Sequence, residues 1–160
     1  MDKDEGRSDE VTLPALLRAS RRTYGSAIRS SLAEVGCDDV PRNGSFVIGA
    51  IARGGSPLGV IIKELGVSKQ AAGQLVDTLV LRGYLERSPD PGDRRRMTVA
   101  LTERGRLAAA AVREAVRGVD ARVIERVGAD SLARTRTTLA ALIDVGSDQP
   151  DSRTGSLRFS

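Results

Sequence analysis

The chain has 160 residues, enough for one domain with a core of its own. Its 25 basic and 21 acidic residues leave a net charge of +4, too small an excess to indicate a nucleic-acid partner, so the distribution of charge has to carry that reading. Histidine is absent and Cys37 is the single cysteine, which removes the usual general base, the Ser-His and Cys-His nucleophile pairs, most zinc sites and any intramolecular disulfide.

The first ten residues, MDKDEGRSDE, are charged and lack the apolar stretch of a signal peptide, and disorder is expected over 1–11. No apolar run reaches the roughly 18 residues of a membrane span. With a lone cysteine, a reducing cytoplasm is the expected location. Leu13, Leu17, Tyr24, Ile28, Leu32 and Val35 recur at helical spacing and predict a long first helix ending near Gly36, within a segment 12–36. NGSFVIGAIARGG predicts a short second helix closed by Gly54 and Gly55. In SPLGVIIKELG, Ser56 is the N-cap, Pro57 the first helical residue and Gly66 the stop. Ser68 caps the next helix, KQAAGQLVDTLVLRG, which ends at Gly83. YLERS and RMTVAL are strand-like. Thr102 caps a helix running to about Arg126, with Leu107, Ala111, Ala115, Val119 and Val123 on one face. A last helix turns Leu132, Leu139, Leu142 and Ile143 inward, and the tail 146–160 is expected to be disordered.

Two of these helices are joined by LGVS, a tight turn in which Gly66 can adopt positive φ. Ile61, Leu65, Val67, Ala72 and Leu75 fall where a helix-turn-helix needs apolar contacts. The second helix then turns Ser68, Lys69, Gln70, Gly73, Gln74 and Asp77 outward. Gln suits adenine edges, Lys suits guanine or phosphate, and Gly73 lets the backbone come close. The helix N-terminus offers unpaired N–H groups to a phosphate. Immediately downstream, DPGD places Pro91 and Gly92 at the centre of a type II turn. That turn projects Arg94, Arg95 and Arg96 from one end of a two-stranded ribbon. Three adjacent like charges are tolerated where a narrow minor groove supplies the opposite potential. Asp93 would be repelled by phosphates, so it is read as a clamp that accepts hydrogen bonds from Arg95 or from turn N–H groups.

The order of these pieces carries a resemblance. VSKQAAGQLVDTLVLRGYLERSPDPGDRRRMTVALTERG closely resembles the winged helix-turn-helix of the multiple antibiotic resistance regulator (MarR) family. Recognition helix, RGYLER, DPxDRR, alternating strand and LTxxG follow one another as they do there. The family's D-x-R wing signature falls on Asp93 and Arg95, and the likeness extends over roughly residues 12 to 145. It implies a mainly α (α+β) fold, a winged helix-turn-helix over 37–101 with a helical dimerisation region formed by 12–36 and 102–145. It also implies a homodimer on the double-stranded DNA of a pseudo-palindromic operator. The implied function is a transcriptional regulator, a repressor released by a small aromatic or acidic effector. Tyr24, Phe46 and Tyr84 are expected to pack in the core; alternatively Tyr24 and Phe46, which lie on elements that line the family's ligand pocket, border such a pocket here. The alternative is a constitutive regulator, or one responding to oxidation of Cys37. Asp38 and Asp39 beside Cys37 disfavour a thiolate. No enzyme activity, cofactor or metal is expected.

Overall fold

The computed structural model describes residues 11–54, 66–89 and 97–147. The expected helix from Ser56, the arginine turn and the two termini expected to be disordered lie outside them, apart from Val11, Gly146 and Ser147. In chain order the described elements are α1 (Leu13–Glu34), α2 (Gly44–Ala52), α3 (Lys69–Leu81), β1 (Leu85–Pro89), β2 (Met97–Leu101), α4 (Glu103–Val127) and α5 (Ala129–Ser147). Residues up to Val119 form one compact unit and those from Asp120 a second.

Helix ends follow local chemistry. α1 stops because Gly36 takes φ +70°. The Gly36 N–H then donates to Ala33 O at 3.1 Å and the Cys37 N–H to Leu32 O at 2.8 Å. This is a Schellman closure, which needs a residue free of Cβ strain at the turn. α3 ends the same way: Gly83 donates to Val80 O and Tyr84 to Leu79 O, both at 2.9 Å. In each case the residue after the glycine is carried into the interior, Cys37 at 1 % and Tyr84 at 0 % exposure. α4 begins at Thr102, whose Oγ1 accepts from the Gly105 N–H at 3.0 Å, as an N-cap should.

β1 and β2 pair antiparallel in a register that runs from Leu85 opposite Leu101 to Pro89 opposite Met97. A single core joins Leu32 and Cys37 to Val47, Ile48 and Ala50 of α2, Val76 and Leu79 of α3, Tyr84, Leu85, and Ala108, Ala109, Ala111 and Val112 of α4. α4 docks through its smallest residues. A Cβ on Gly105 would lie 2.1 Å from Tyr84 O, so only glycine fits there.

Two expectations for the later helices are corrected. Leu107 is 48 % exposed, and the buried stripe of α4 is Gly105, Ala108, Ala109, Val112 with Ala111 and Val119. Steps of four residues drift about 40° each on a 3.6-residue helix, so the stripe expected from Leu107 to Val123 turns through about 160° and cannot face one neighbour. On α5 only Leu132 is buried, while Leu142 and Ile143 are 44 % and 69 % exposed in the single chain. Within the second unit Arg136 pairs with Asp120 at 2.5 Å across the Gly128 turn. α5 itself continues to Ser147, two residues past the boundary expected from the sequence.

Candidate nucleic-acid interface

The site is built on α3. Ser68 sits in extended backbone and its Oγ accepts from the Ala71 N–H at 3.1 Å, which fixes where the helix begins. Ala72, Val76 and Leu79 are buried beneath it. Lys69, Gln70, Gly73, Gln74 and Asp77 are all exposed, as is Ser68. At 100° per residue these five helical positions span an arc of about 140°, which abuts the buried stripe at Lys69 without overlapping it. The expected recognition face is therefore one continuous surface.

Gly73 packs against no described residue there. A Cβ built on it meets no described heavy atom within 4 Å, and its φ is not positive. A glycine inside a helix costs about 1 kcal/mol relative to alanine, and packing against the described residues does not account for it. Asp77, the only acid on the face, is ion-paired with Arg87 of β1. The two side chains are 64 % and 52 % exposed, so the pair adds little stability. Its effect is to cancel the negative charge on a surface that is otherwise polar or basic.

Where α3 hands over to the ribbon, four side chains meet. The Tyr84 hydroxyl donates to the Asp39 carboxylate, and the Arg82 guanidinium donates to the Asp39 carbonyl. Arg104, the second residue of α4, donates to Asp39 Oδ1 at 2.9 Å and to Arg82 O at 2.6 Å. Its Cζ lies 4.4 Å from the centroid of the Tyr84 ring, a cation–π contact. The Tyr84 hydrogen bond, aided by Arg104 and Arg82, holds the Asp39 carboxyl below its ordinary value despite an opposing desolvation effect. Burial pushes the Tyr84 phenol above its ordinary range, with the Asp39 bond adding to it. Neither Asp39 nor Arg104 was a candidate from the sequence. Arg104 occupies a variable position of LTERG and Asp39 lies 65 residues upstream, so no local pattern connects them.

The wing candidates Asp93, Arg94, Arg95 and Arg96 lie outside the described residues. The ladder that leads to them is paired up to Pro89 and Met97. Of the suggested pocket residues, Tyr24 is half-buried on α1 and Phe46 is 39 % exposed on α2. Neither borders the described cleft of about 630 Å³, which is lined by Ile51, Val99, Leu101, Ala109, Arg106 and Arg113, among others.

Residues 38–96 match the MarR family model. Over that stretch the chain is similar to the MarR family. Beyond that stretch, solved structures agree with the fold along nearly the whole chain. The transcriptional regulator PA4135 superposes with a TM-score of 0.62 at 22 % identity, over 88 % of this chain and 100 % of that one. The transcriptional repressor CouR, solved on a 23-mer DNA duplex, gives 0.64 at 24 %, over 89 % and 99 %. RV1404 from Mycobacterium tuberculosis gives 0.57 at 29 %, over 96 % and 99 %. No curated protein sequence matches the chain.

Proposed function

We propose that this chain is a member of the MarR family, a cytoplasmic, sequence-specific regulator that binds a pseudo-palindromic operator as a homodimer, and that it is a repressor released by a small effector. The observation that carries the reading is the outer face of α3. It is capped at Ser68, polar and basic from Lys69 to Gln74, open at Gly73 and relieved of its one acid by Arg87. Such a face suits the floor of a major groove, where Lys and Gln meet base edges and a bare backbone can approach. Arg94, Arg95 and Arg96 are assigned to the flanking minor groove, with Asp93 aiming them.

Dimerisation is supported by apolar surface at both chain ends. Leu13 and Leu16 on α1 are 50 % and 38 % exposed, and Val127, Leu142 and Val145 near the other end are 55 %, 44 % and 62 %. A second copy covering them (12–36 and 102–145 are the segments assigned to this) would set two α3 helices on half-sites about 34–36 Å apart. The effector reading is supported by the cleft, whose Ile51, Val99 and Leu101 suit an apolar body and whose Arg106 and Arg113 suit an acidic group. Tyr24 and Phe46 stand as a second candidate border for that effector. Cys37, at 1 % exposure inside the core, favours this reading over a thiol switch.

Selection of bound sequences from a random duplex pool tests the central claim. An inverted repeat with centres one helical turn apart is the expected product. Recovery of duplexes with no shared sequence would refute it.

A further inference from the structure

We infer that Arg104 is a positioning residue that sets the wing against the recognition helix, an inference that rests on the DNA-binding reading above. The guanidinium is engaged by partners within the chain, although the side chain stays 40 % exposed. One nitrogen donates to the carbonyl of Arg82, the C-cap of α3. The other donates to the Asp39 carboxylate and reaches the carbonyl of Gly36, 3.4 Å away, just past the end of α1. Two helix C-termini, each with partial negative charge, and one carboxylate thus converge on a single planar cation. A forked guanidinium can serve them together; a lysine ammonium is a point charge with a different reach.

The Tyr84 ring lies under that cation, and its hydroxyl is held by Asp39. Tyr84 is the residue immediately before β1, and Thr102 the residue immediately after β2. Thr102 is tied to the same place, its Oγ1 donating to Gly83 O at 2.5 Å and its N–H to Tyr84 O at 3.2 Å. Both roots of the ribbon are therefore clamped at the exit of α3. A five-residue strand is about 17 Å long, so a tilt of 10° at its root displaces the far end by about 3 Å. That is enough to move a side chain out of a groove. Arg104 consequently acts on DNA through the ribbon's angle and not by touching a phosphate.

The test compares Arg104→Ala, Arg104→Lys, Asp39→Asn and the double variant Arg104→Ala/Asp39→Asn. Binding of a duplex recovered from the random pool is measured by fluorescence anisotropy across a salt series. Each single variant is expected to weaken binding roughly 2- to 30-fold, the range for substitutions that act through a coupled element. The slope of log affinity against log salt stays unchanged, lysine does not rescue, and the double variant is no weaker than Arg104→Ala. Asp39→Asn is the sharpest arm, because removing a negative charge tightens binding if only long-range electrostatics matters. A slope shallower by about 1 for Arg104→Ala, with wild-type affinity for Arg104→Lys, would make Arg104 a phosphate contact and overturn the inference. Tighter binding by Asp39→Asn would overturn it as well.

Amide hydrogen exchange on the free protein supplies a readout without DNA. Arg104→Ala is expected to speed exchange in 84–89 and 97–102 while α5 keeps its rates. Unchanged exchange in the ribbon, or acceleration spread equally over the chain, would overturn the positioning role. A wild-type chain that binds no duplex would instead refute the functional reading, with the exchange experiment still deciding the clamp.

Discussion

Replacing Gly73 with alanine should move stability and DNA binding in opposite directions. The site is exposed, lies inside α3, has ordinary helical φ, and offers an added methyl no described atom within 4 Å. The free protein therefore gains the helix-propensity difference, about 1 kcal/mol, with no clash against a described residue. For a chain of this length that raises Tm by roughly 2–4 °C. On DNA the same methyl stands between the helix backbone and the groove. Overpacking of a close interface costs about 1–3 kcal/mol, or roughly 5- to 150-fold in affinity. Thermal unfolding monitored by circular dichroism measures the first effect, and anisotropy titration with a selected duplex the second. Salt dependence should stay the same, since no charge changes. If Gly73→Ala binds the duplex as tightly as wild type, α3 does not approach DNA at this position. A lowered Tm would show that the glycine serves packing after all.

Gly105→Ala carries the opposite sign on stability. Its methyl would meet Tyr84 O at 2.1 Å, so we expect a net loss of about 1–3 kcal/mol in urea unfolding despite the better helix former, whereas Gly118→Ala in the same helix, with nothing near its Cβ, should be neutral or stabilising. Gln74→Ala should relax preference at one or two base pairs per half-site and cost about 1–3 kcal/mol on the selected sequence; equal weakening on selected and random duplexes would show that Gln74 reads no base. Arg95→Ala should lower affinity and flatten the salt slope by about 1, and an unchanged slope would remove it from the phosphate contacts. Because the Asp39 carboxyl titrates below its ordinary value of 3.8, its contribution to stability is present above that pH and is lost as pH falls through the lower, folded-state value. The stability gap between wild type and Asp39→Asn should accordingly close in acid urea melts, and a gap that persists to the lowest pH would refute the assignment.

Helix limits were legible because their causes are local. Ser68 and Thr102 cap, and Gly36 and Gly83 close, through bonds to residues no more than five positions away. The strands flanking the arginines, the exposed polar face of α3 and the family resemblance could be read for the same reason. Each depends on residue types at short, fixed spacing, which a single sequence displays directly.

The tertiary structure alone decided what lies opposite what. The Arg104–Asp39 contact joins positions 65 apart, and the Asp77–Arg87 pair joins a helix to a strand across an intervening turn. No periodicity encodes such meetings. Gly105 was visible as a motif letter, but its reason is the carbonyl of Tyr84, 21 residues earlier in the chain. The stripe expected on α4 rotated away from Leu107, and α5 left Leu142 exposed. Hydrophobic spacing tells which side of a helix is apolar. Which part of that side is covered depends on the neighbour's position, set by long-range packing that a local pattern does not contain.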